Sequence, residues 1–169
     1  MLGSFLHDVG KIGIRDSILL KPGKLDADEF SVMRTHVTLG LDILGQSEWL
    51  HAALDVVGNH HEKFDGSGYP QGLSGAAIPL NARIFAVVDV FDALASKRPY
   101  KEAMSGDAAL AVVEQGSGTH FDPALVTAFR PIAPALHARL ADASESELRS
   151  QLAEKAQRYF FSEADLRPA

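Results

Sequence analysis

A chain of 169 residues, 46% hydrophobic and 22% charged, is long enough for one domain with a sizeable core and too apolar for extensive disorder. Its net charge of −6 argues against a binder of nucleic-acid polymers, and the absence of cysteine removes disulfides, thiolate metal sites and cysteine nucleophiles together, which suits a cytoplasmic setting. Its best apolar run, Ile84 to Leu94, is interrupted by Asp89 and Asp92, well short of the ~20 residues of a membrane span.

In chain order, residues 2–9 read as the end of a helix, running into His7-Asp8 and stopped by Gly10. Residues 13–24 read as a loop with one apolar turn, Ile18-Leu19-Leu20. Asp26 with Glu29 has capping-box spacing and predicts one helix that carries Phe30, Met33 and His36 and continues to Leu44. Ser47 is a candidate cap for the next helix, which bears Leu50, Leu54 and Val57 and ends at His60-His61; Trp49 reads as core and His51 as surface. Residues 62–79 have no periodicity but hold Gly66, Gly68, Gly72, Gly75 and Pro70, a loop long enough to be functional.

After Pro79 the apolar residues Ile84, Phe85, Val87, Val88, Val90 and Phe91 wrap most of a helix, which predicts a buried central element. Lys97-Arg98-Pro99-Tyr100-Lys101 ends it. Ser105 caps a helix to about Glu114, and Asp122-Pro123 starts another through Phe129. Pro131 and Pro134 mark a bend. A last helix from about Ser144 carries an apolar stripe, Leu148, Leu152, Ala156 and Phe160, expected to pack on its own domain or across a homodimer. Nothing reads as a sheet, so the expected fold class is all-α, a compact helical bundle over residues 1–132 with a C-terminal helical extension over 133–169.

The chemistry concentrates in imidazoles and carboxylates with apolar neighbours: His7-Asp8, His36, His60-His61 and Asp89. An isolated histidine pair would read as one buried, hydrogen-bonded residue and one solvated helix end. Uncompensated charge beside apolar residues is costly, which shifts the reading toward a shared site. Successive helical residues point about 100° apart, so His60 and His61 are expected to serve two neighbouring ions rather than converge on one. Nitrogen and oxygen donors without thiolate suit iron or manganese at least as well as zinc.

The segments His7-Asp8 with Gly10-Lys11-Ile12, His60-His61-Glu62, Asp65-Gly66-Ser67-Gly68-Tyr69-Pro70, Asp89-Val90-Phe91-Asp92-Ala93-Leu94, Arg98-Pro99-Tyr100 and Phe121-Asp122-Pro123 together resemble the HD-GYP phosphodiesterases, in the expected order over roughly residues 4–130. The resemblance implies a helical fold, two divalent transition metal ions, iron or manganese, and hydrolysis of cyclic di-GMP. It makes His7, Asp8, His36, His60, His61 and Asp89 metal ligands, with Asp8 bridging. It puts Lys11 beside the scissile phosphate, Arg98 and Lys101 on the substrate phosphates and Tyr69 against the nucleotide. Surface solvation of Lys101 and simple loop packing of Tyr69 are the competing readings. Asp92 either orients a ligand or lies on the helix surface, and His120 and His137 fall outside the ligand pattern.

His36 is followed by Val37 where the family commonly has proline. The family's preceding helix supplies a histidine and, in trinuclear members, a glutamate, so the expectation is a fragment, or a truncated relative with little activity by itself. The rival readings are a weak signalling module that contacts a diguanylate cyclase through the Gly68-Tyr69-Pro70 loop, and a phosphohydrolase for another nucleotide.

Overall fold

The computed structural model describes residues 2–97, 102–141 and 143–160. Arg98 and Lys101, expected to hold substrate phosphates, lie outside the described residues. Among the described residues ten α-helices follow one another: α1 Leu2–Leu6, α2 Asp16–Leu19, α3 Ala27–Arg34, α4 His36–Leu44, α5 His51–Asn59, α6 Leu80–Ala95, α7 Gly106–Gln115, α8 Pro123–Phe129, α9 Ala133–Ala141 and α10 Glu145–Phe160. No strand occurs among the described residues, only an isolated bridge between Ser117 and Phe121. The fold is all-α, as the apolar periodicity predicts.

Several helix starts are written in capping residues. Asp26 accepts the Glu29 amide at 2.9 Å while its own amide donates to the Glu29 carboxylate at 2.9 Å, a complete capping box for α3. Ser105 accepts from the Ala108 amide, and Asp122 accepts from Ala124 with Pro123 in the first turn of α8. The other Asp122 oxygen accepts from Arg83 at 2.5 Å, tying α8 to α6. Ser47 makes no side-chain cap; a 3₁₀ turn, Glu48–Leu50, intervenes before α5.

The single helix expected from Asp26 to Leu44 is two, divided at Thr35. There the hydroxyl and the amide of Thr35 both bond to the Val32 carbonyl three residues back, tightening the last turn of α3. This division makes His36 the first residue of α4. Val37, in place of the family's proline, is fully buried beside it.

Two apolar clusters hold the domain. One joins Leu44, Ala53 and Val57 to Leu2, Leu6 and Val9, so α1 packs on α4 and α5. The other gathers Ala86, Val87 and Phe91 of α6 with Ala109, Val113, Val126, Phe129 and Ala133 of α7 to α9. The central helix is less enclosed than its sequence suggests. Ile84 and Val88 are 44% and 39% exposed, because the partners of α6 cover only the face of Ala82, Ala86, Val87 and Phe91. Trp49, read as core, is 71% exposed, since it sits in the 3₁₀ turn before α5 rather than on the inward stripe of that helix.

α10 begins with Ser144 and Glu147 in reciprocal capping bonds. Its Leu148 faces a cleft with Val88, Phe91 and Leu136, and Ala156 faces Leu2, Leu44 and Trp49. Leu152 between them stays 49% exposed.

One close approach sets the geometry of everything that follows. The turn Val9–Gly13 after His7-Asp8 lies directly on the start of α4. A Cβ on Gly10 would stand 2.5 Å from the Gly40 amide nitrogen and nearer still to the His36 carbonyl oxygen. Only glycine lets the two backbones meet there. Gly10→Ala is expected to destabilise by ~2–4 kcal/mol, read as a Tm drop of roughly 5–15 °C. Trp49→Ala, which removes an exposed ring, should stay within ~1 kcal/mol. Equal effects of the two substitutions in thermal melts would contradict this packing.

Candidate metal centre

Four elements meet where the chemistry-bearing residues lie. His7 and Asp8 follow α1, His36 opens α4, His60 and His61 follow the last residue of α5, and Asp89 stands midway along α6. Each of Asp8, His36, His60 and His61 offers a ligand atom, and these four atoms all lie within 4.8 Å of one another. His36 and His60 are buried and Asp8 and His61 half-buried, so the cluster is enclosed on its protein side and open toward solvent.

Backbone carbonyls orient three of the imidazoles. His7 Nδ1 faces the Ser4 oxygen at 2.9 Å, His36 Nδ1 the Met33 oxygen at 2.7 Å, and His60 Nδ1 the Val56 and Val57 oxygens at 3.1 and 3.0 Å. A ring nitrogen facing a carbonyl carries the proton, so in the neutral His36 and His60 rings the other nitrogen presents a lone pair. The consequence is a convergence of acceptors. His36 Nε2 and His60 Nε2 stand 3.4 Å apart, and Asp8 Oδ1 lies 3.6 and 3.9 Å from them. Three lone-pair groups aimed at one point repel each other unless a cation sits among them, and the donor set of nitrogen and carboxylate oxygen fits a divalent transition metal.

The second oxygen of Asp8 looks the other way. Asp8 Oδ2 is 3.2 Å from His7 Nε2 and 2.6 Å from the Lys11 ammonium. Asp89 acts on His7 electrostatically, helping to raise its pKa. One carboxylate therefore faces two groups of residues, His36 with His60 on one side and His7 with Lys11 on the other.

The expectation that His60 and His61 diverge is corrected by the structure. α5 ends at Asn59 and His60 caps it, so His61 lies in the turn beyond, where the helical angle between neighbours no longer applies. The two rings sit 4.1 Å apart between centroids and both enter the same cluster.

The glycine-rich loop is fastened by a residue to which sequence reasoning attached no role. Glu62 is 2% exposed, and its two carboxylate oxygens accept from the Gln71 and Leu73 amides at 2.7 and 3.0 Å. Phe64 and Asp65 donate to the carbonyls of His120 and Thr119, and Tyr69 donates to that of His61 at 3.2 Å. Gly68 passes so close to the His61 oxygen that a Cβ would come within 2.6 Å of it. Tyr69 stacks on the His61 ring, 4.6 Å between centroids and 23° between planes, and the peptide bond to Pro70 is cis. The sequence clue to Glu62 was an acid placed directly after two histidines, in a position where burial required a compensating turn. Asp92, in contrast, is exposed and accepts a bond from Ser96 one turn on, which assigns it to the helix surface. His120 stacks on Phe121 and His137 approaches Phe91, both outside the cluster.

Burial shifts the titrations. It lowers His36, and with the neighbouring imidazoles it pushes His60 down to about 4 and His61 to about 3. Burial works on His7 in the same sense and is the largest single effect, but the hydrogen bonds to Asp8 and Ser4 and the charges of Asp8 and Asp89 together outweigh it, and the net shift is upward. For Asp8, burial alone would favour the neutral acid; hydrogen bonds from His7 and Lys11 overcome it and hold the carboxyl well below its ordinary range. Neutral imidazoles beside an ionised carboxylate are the protonation states that bind metal.

Between the free imidazole value of 6.5 and about 4, the unfolded chain binds more protons at His36, His60 and His61 than the folded one. Their contribution to stability is therefore present above pH ~6.5 and lost as the pH falls through that window. His7 works in the opposite direction and offsets part of the loss, while the contribution of Asp8 is fully present in this window and is lost only at lower pH. Chelator-treated protein is expected to lose on the order of 2–3 kcal/mol between pH 7 and pH 5, a Tm drop of ~5–10 °C. A flat Tm over that range would contradict the burial of neutral imidazoles.

Comparison with known proteins agrees with this arrangement. The HD domain family model matches residues 1–125. A cyclic di-GMP phosphodiesterase of Vibrio cholerae is 53% identical over 131 residues, covering 73% of this chain and 27% of the relative. The cyclic di-GMP phosphodiesterase response regulator RpfG of Xanthomonas campestris is 55% identical over 125 residues, covering 73% and 33%. A 3'3'-cGAMP-specific phosphodiesterase of Vibrio cholerae is 49% identical over 123 residues, covering 72% and 24%. The chain thus spans about a third or less of the length of these relatives. Among solved structures, a cyclic GMP-AMP specific phosphodiesterase of V. cholerae superposes with a TM-score of 0.61 at 20% identity, over 88% of this chain and 42% of that one, a likeness of fold. The matched span contains every described residue of the cluster, and the chain belongs to the HD domain family, in its HD-GYP branch.

Proposed function

We propose that this domain hydrolyses the phosphodiester bond of cyclic di-GMP with metal bound at the Asp8, His36, His60 and His61 cluster. The observation that carries the reading is the convergence of the His36 and His60 Nε2 atoms and Asp8 Oδ1, three acceptors with no proton among them. The names of the relatives supply the substrate class. His7, Asp8 and Asp89 would hold a second ion, with Asp8 common to both sets of residues, and iron or manganese would be its preferred identity. Metal bound in such a site polarises phosphoryl oxygens and lowers the pKa of water toward neutrality.

The chain's own residues have distinct tasks in this reading. Asp8 keeps an ionised carboxylate shared between both sides. His36 and His60 hold their Nε2 lone pairs inward because each Nδ1 is committed to a carbonyl, and His7, bonded to Asp8 through Nε2, would release that proton to a metal. Lys11, 37% exposed and bonded to Asp8, stands at the rim where its ammonium can meet a phosphate of the substrate. Arg98 and Lys101 are assigned to the substrate phosphates by the resemblance of their segment to the HD-GYP phosphodiesterases. A second reading, hydrolysis of a mixed guanine-adenine cyclic dinucleotide, is favoured by the relative named for 3'3'-cGAMP. It uses the same metal residues and differs in the base pocket.

His61→Ala and Asp89→Ala are each expected to weaken metal binding by at least ~10-fold and to lower hydrolysis with it, measured by elemental analysis and a cyclic di-GMP product assay. Unchanged metal content in either variant would remove that residue from the site. Lys11→Ala should instead keep its metal and reduce turnover on the order of 10- to 100-fold. Loss of metal in Lys11→Ala would show that the lysine supports the centre rather than the substrate. Comparison of cyclic di-GMP with 3'3'-cGAMP as substrates separates the two readings.

A further inference from the structure

His61 differs from its three companions in how it is held. His7, His36 and His60 each direct Nδ1 at a backbone carbonyl, whereas His61 has no hydrogen bond to its ring among the described residues. Outside the imidazole cluster the His61 ring stacks on Tyr69, 4.6 Å between centroids. Tyr69 is in turn bracketed by α3. The Arg34 guanidinium carbon lies 4.4 Å from the Tyr69 ring centre, and the Phe30 ring meets Tyr69 edge-on at 6.1 Å. Phe30 and Arg34 are one helical turn apart, so both project from the same face of α3.

Arg34 makes no ion pair among the described residues, although Lys21 and Glu29 pair nearby at 2.5 Å. A guanidinium over an aromatic face is attracted by the ring quadrupole, and such contacts strengthen where water is partly excluded. Burial, against the opposing charge of Arg34, also pushes the Tyr69 phenol up to about 12, so the ring stays neutral at physiological pH. The side chain of an exposed residue on α3 is thus connected to a metal-facing imidazole through one neutral ring.

We infer that Arg34 and Tyr69 are positioning residues for His61, a stacked pair that fixes the imidazole's plane in place of the carbonyl bond that orients the other three. The inference rests on the metal reading of the cluster. In other metal sites the group that orients a ligand is a hydrogen-bond acceptor on the far ring nitrogen, and its loss costs ~10- to 100-fold in metal affinity. Here the same task falls to ring contact, which makes a distinct prediction: the phenol oxygen is dispensable and the ring is not.

The test is calorimetric titration of metal-free protein with Mn²⁺ alone, with thermal melts as the check on folding. Tyr69→Phe keeps the ring and should bind Mn²⁺ within ~2-fold of the parent chain, while Tyr69→Ala and Arg34→Ala should each weaken binding by roughly 10-fold. Arg34 is exposed, so its truncation leaves the fold intact and the measurement interpretable. His60→Ala serves as the reference for a lost ligand. If His60→Ala binds Mn²⁺ like the parent, the metal reading itself fails. If His60→Ala loses binding but Arg34→Ala keeps the parent affinity, or if Tyr69→Phe weakens as much as Tyr69→Ala, the positioning role is overturned while the metal site stands.

Discussion

Asp8 is a half-buried carboxylate whose two oxygens serve opposite sets of partners, and the rest of the domain is arranged around keeping it charged and central. Oδ1 faces the buried His36 and His60, and Oδ2 faces His7 and the Lys11 ammonium. Burying a carboxylate would ordinarily favour its protonation, and here the hydrogen bonds from His7 and Lys11 reverse that preference. The position of Asp8 depends in turn on backbone contact. Gly10 allows the turn after Asp8 to rest on the first residues of α4, which brings the carboxylate to within 3.6 Å of His36. A side chain at that glycine would push the HD turn and the α4 histidine apart, so a packing constraint with no chemistry of its own sets the distance on which the chemistry depends.

The segment between α5 and α6 solves a second problem, how to keep a long glycine-rich loop from collapsing into the centre or drifting from it. Glu62 answers part of it by accepting two loop amides from inside the protein, and the bonds of Phe64 and Asp65 to the 119–120 turn answer another part. A buried acid is costly unless hydrogen-bonded, and both Glu62 oxygens are. The loop then returns Tyr69 against His61, so that the imidazole and the loop constrain one another.

Much of this was legible in the residues. The Asp26 and Glu29 box, the Ser105 cap and the Asp122-Pro123 start all appear where the sequence puts them, because each is a local pairing of a side chain with amides two or three residues away. Asp8, His36 and His60 were legible through their motifs. What escaped was tertiary. His61, a candidate ligand from its motif, converges with His60 rather than diverging from it because α5 stops at Asn59, a boundary that its apolar spacing does not mark. Trp49 was taken for core because it is large and apolar, yet it sits on a 3₁₀ turn that no periodicity announces. α6 reads as apolar all round, but its neighbours cover only one side, and Ile84 and Val88 remain open. Glu62 and Arg34 escaped for the same reason: a buried acid and an arginine over a ring are defined by partners distant in sequence.

The central claim is that one carboxylate, Asp8, is shared by the cluster of three histidines and by the side of His7 and Asp89. Crystals of the manganese-loaded protein, measured at the manganese absorption edge, test it directly. The account predicts an anomalous peak among Asp8, His36, His60 and His61, with Asp8 Oδ1 in the coordination shell and Oδ2 directed toward His7 and Asp89. A peak that is coordinated without Asp8, or manganese found only away from this cluster, would contradict it.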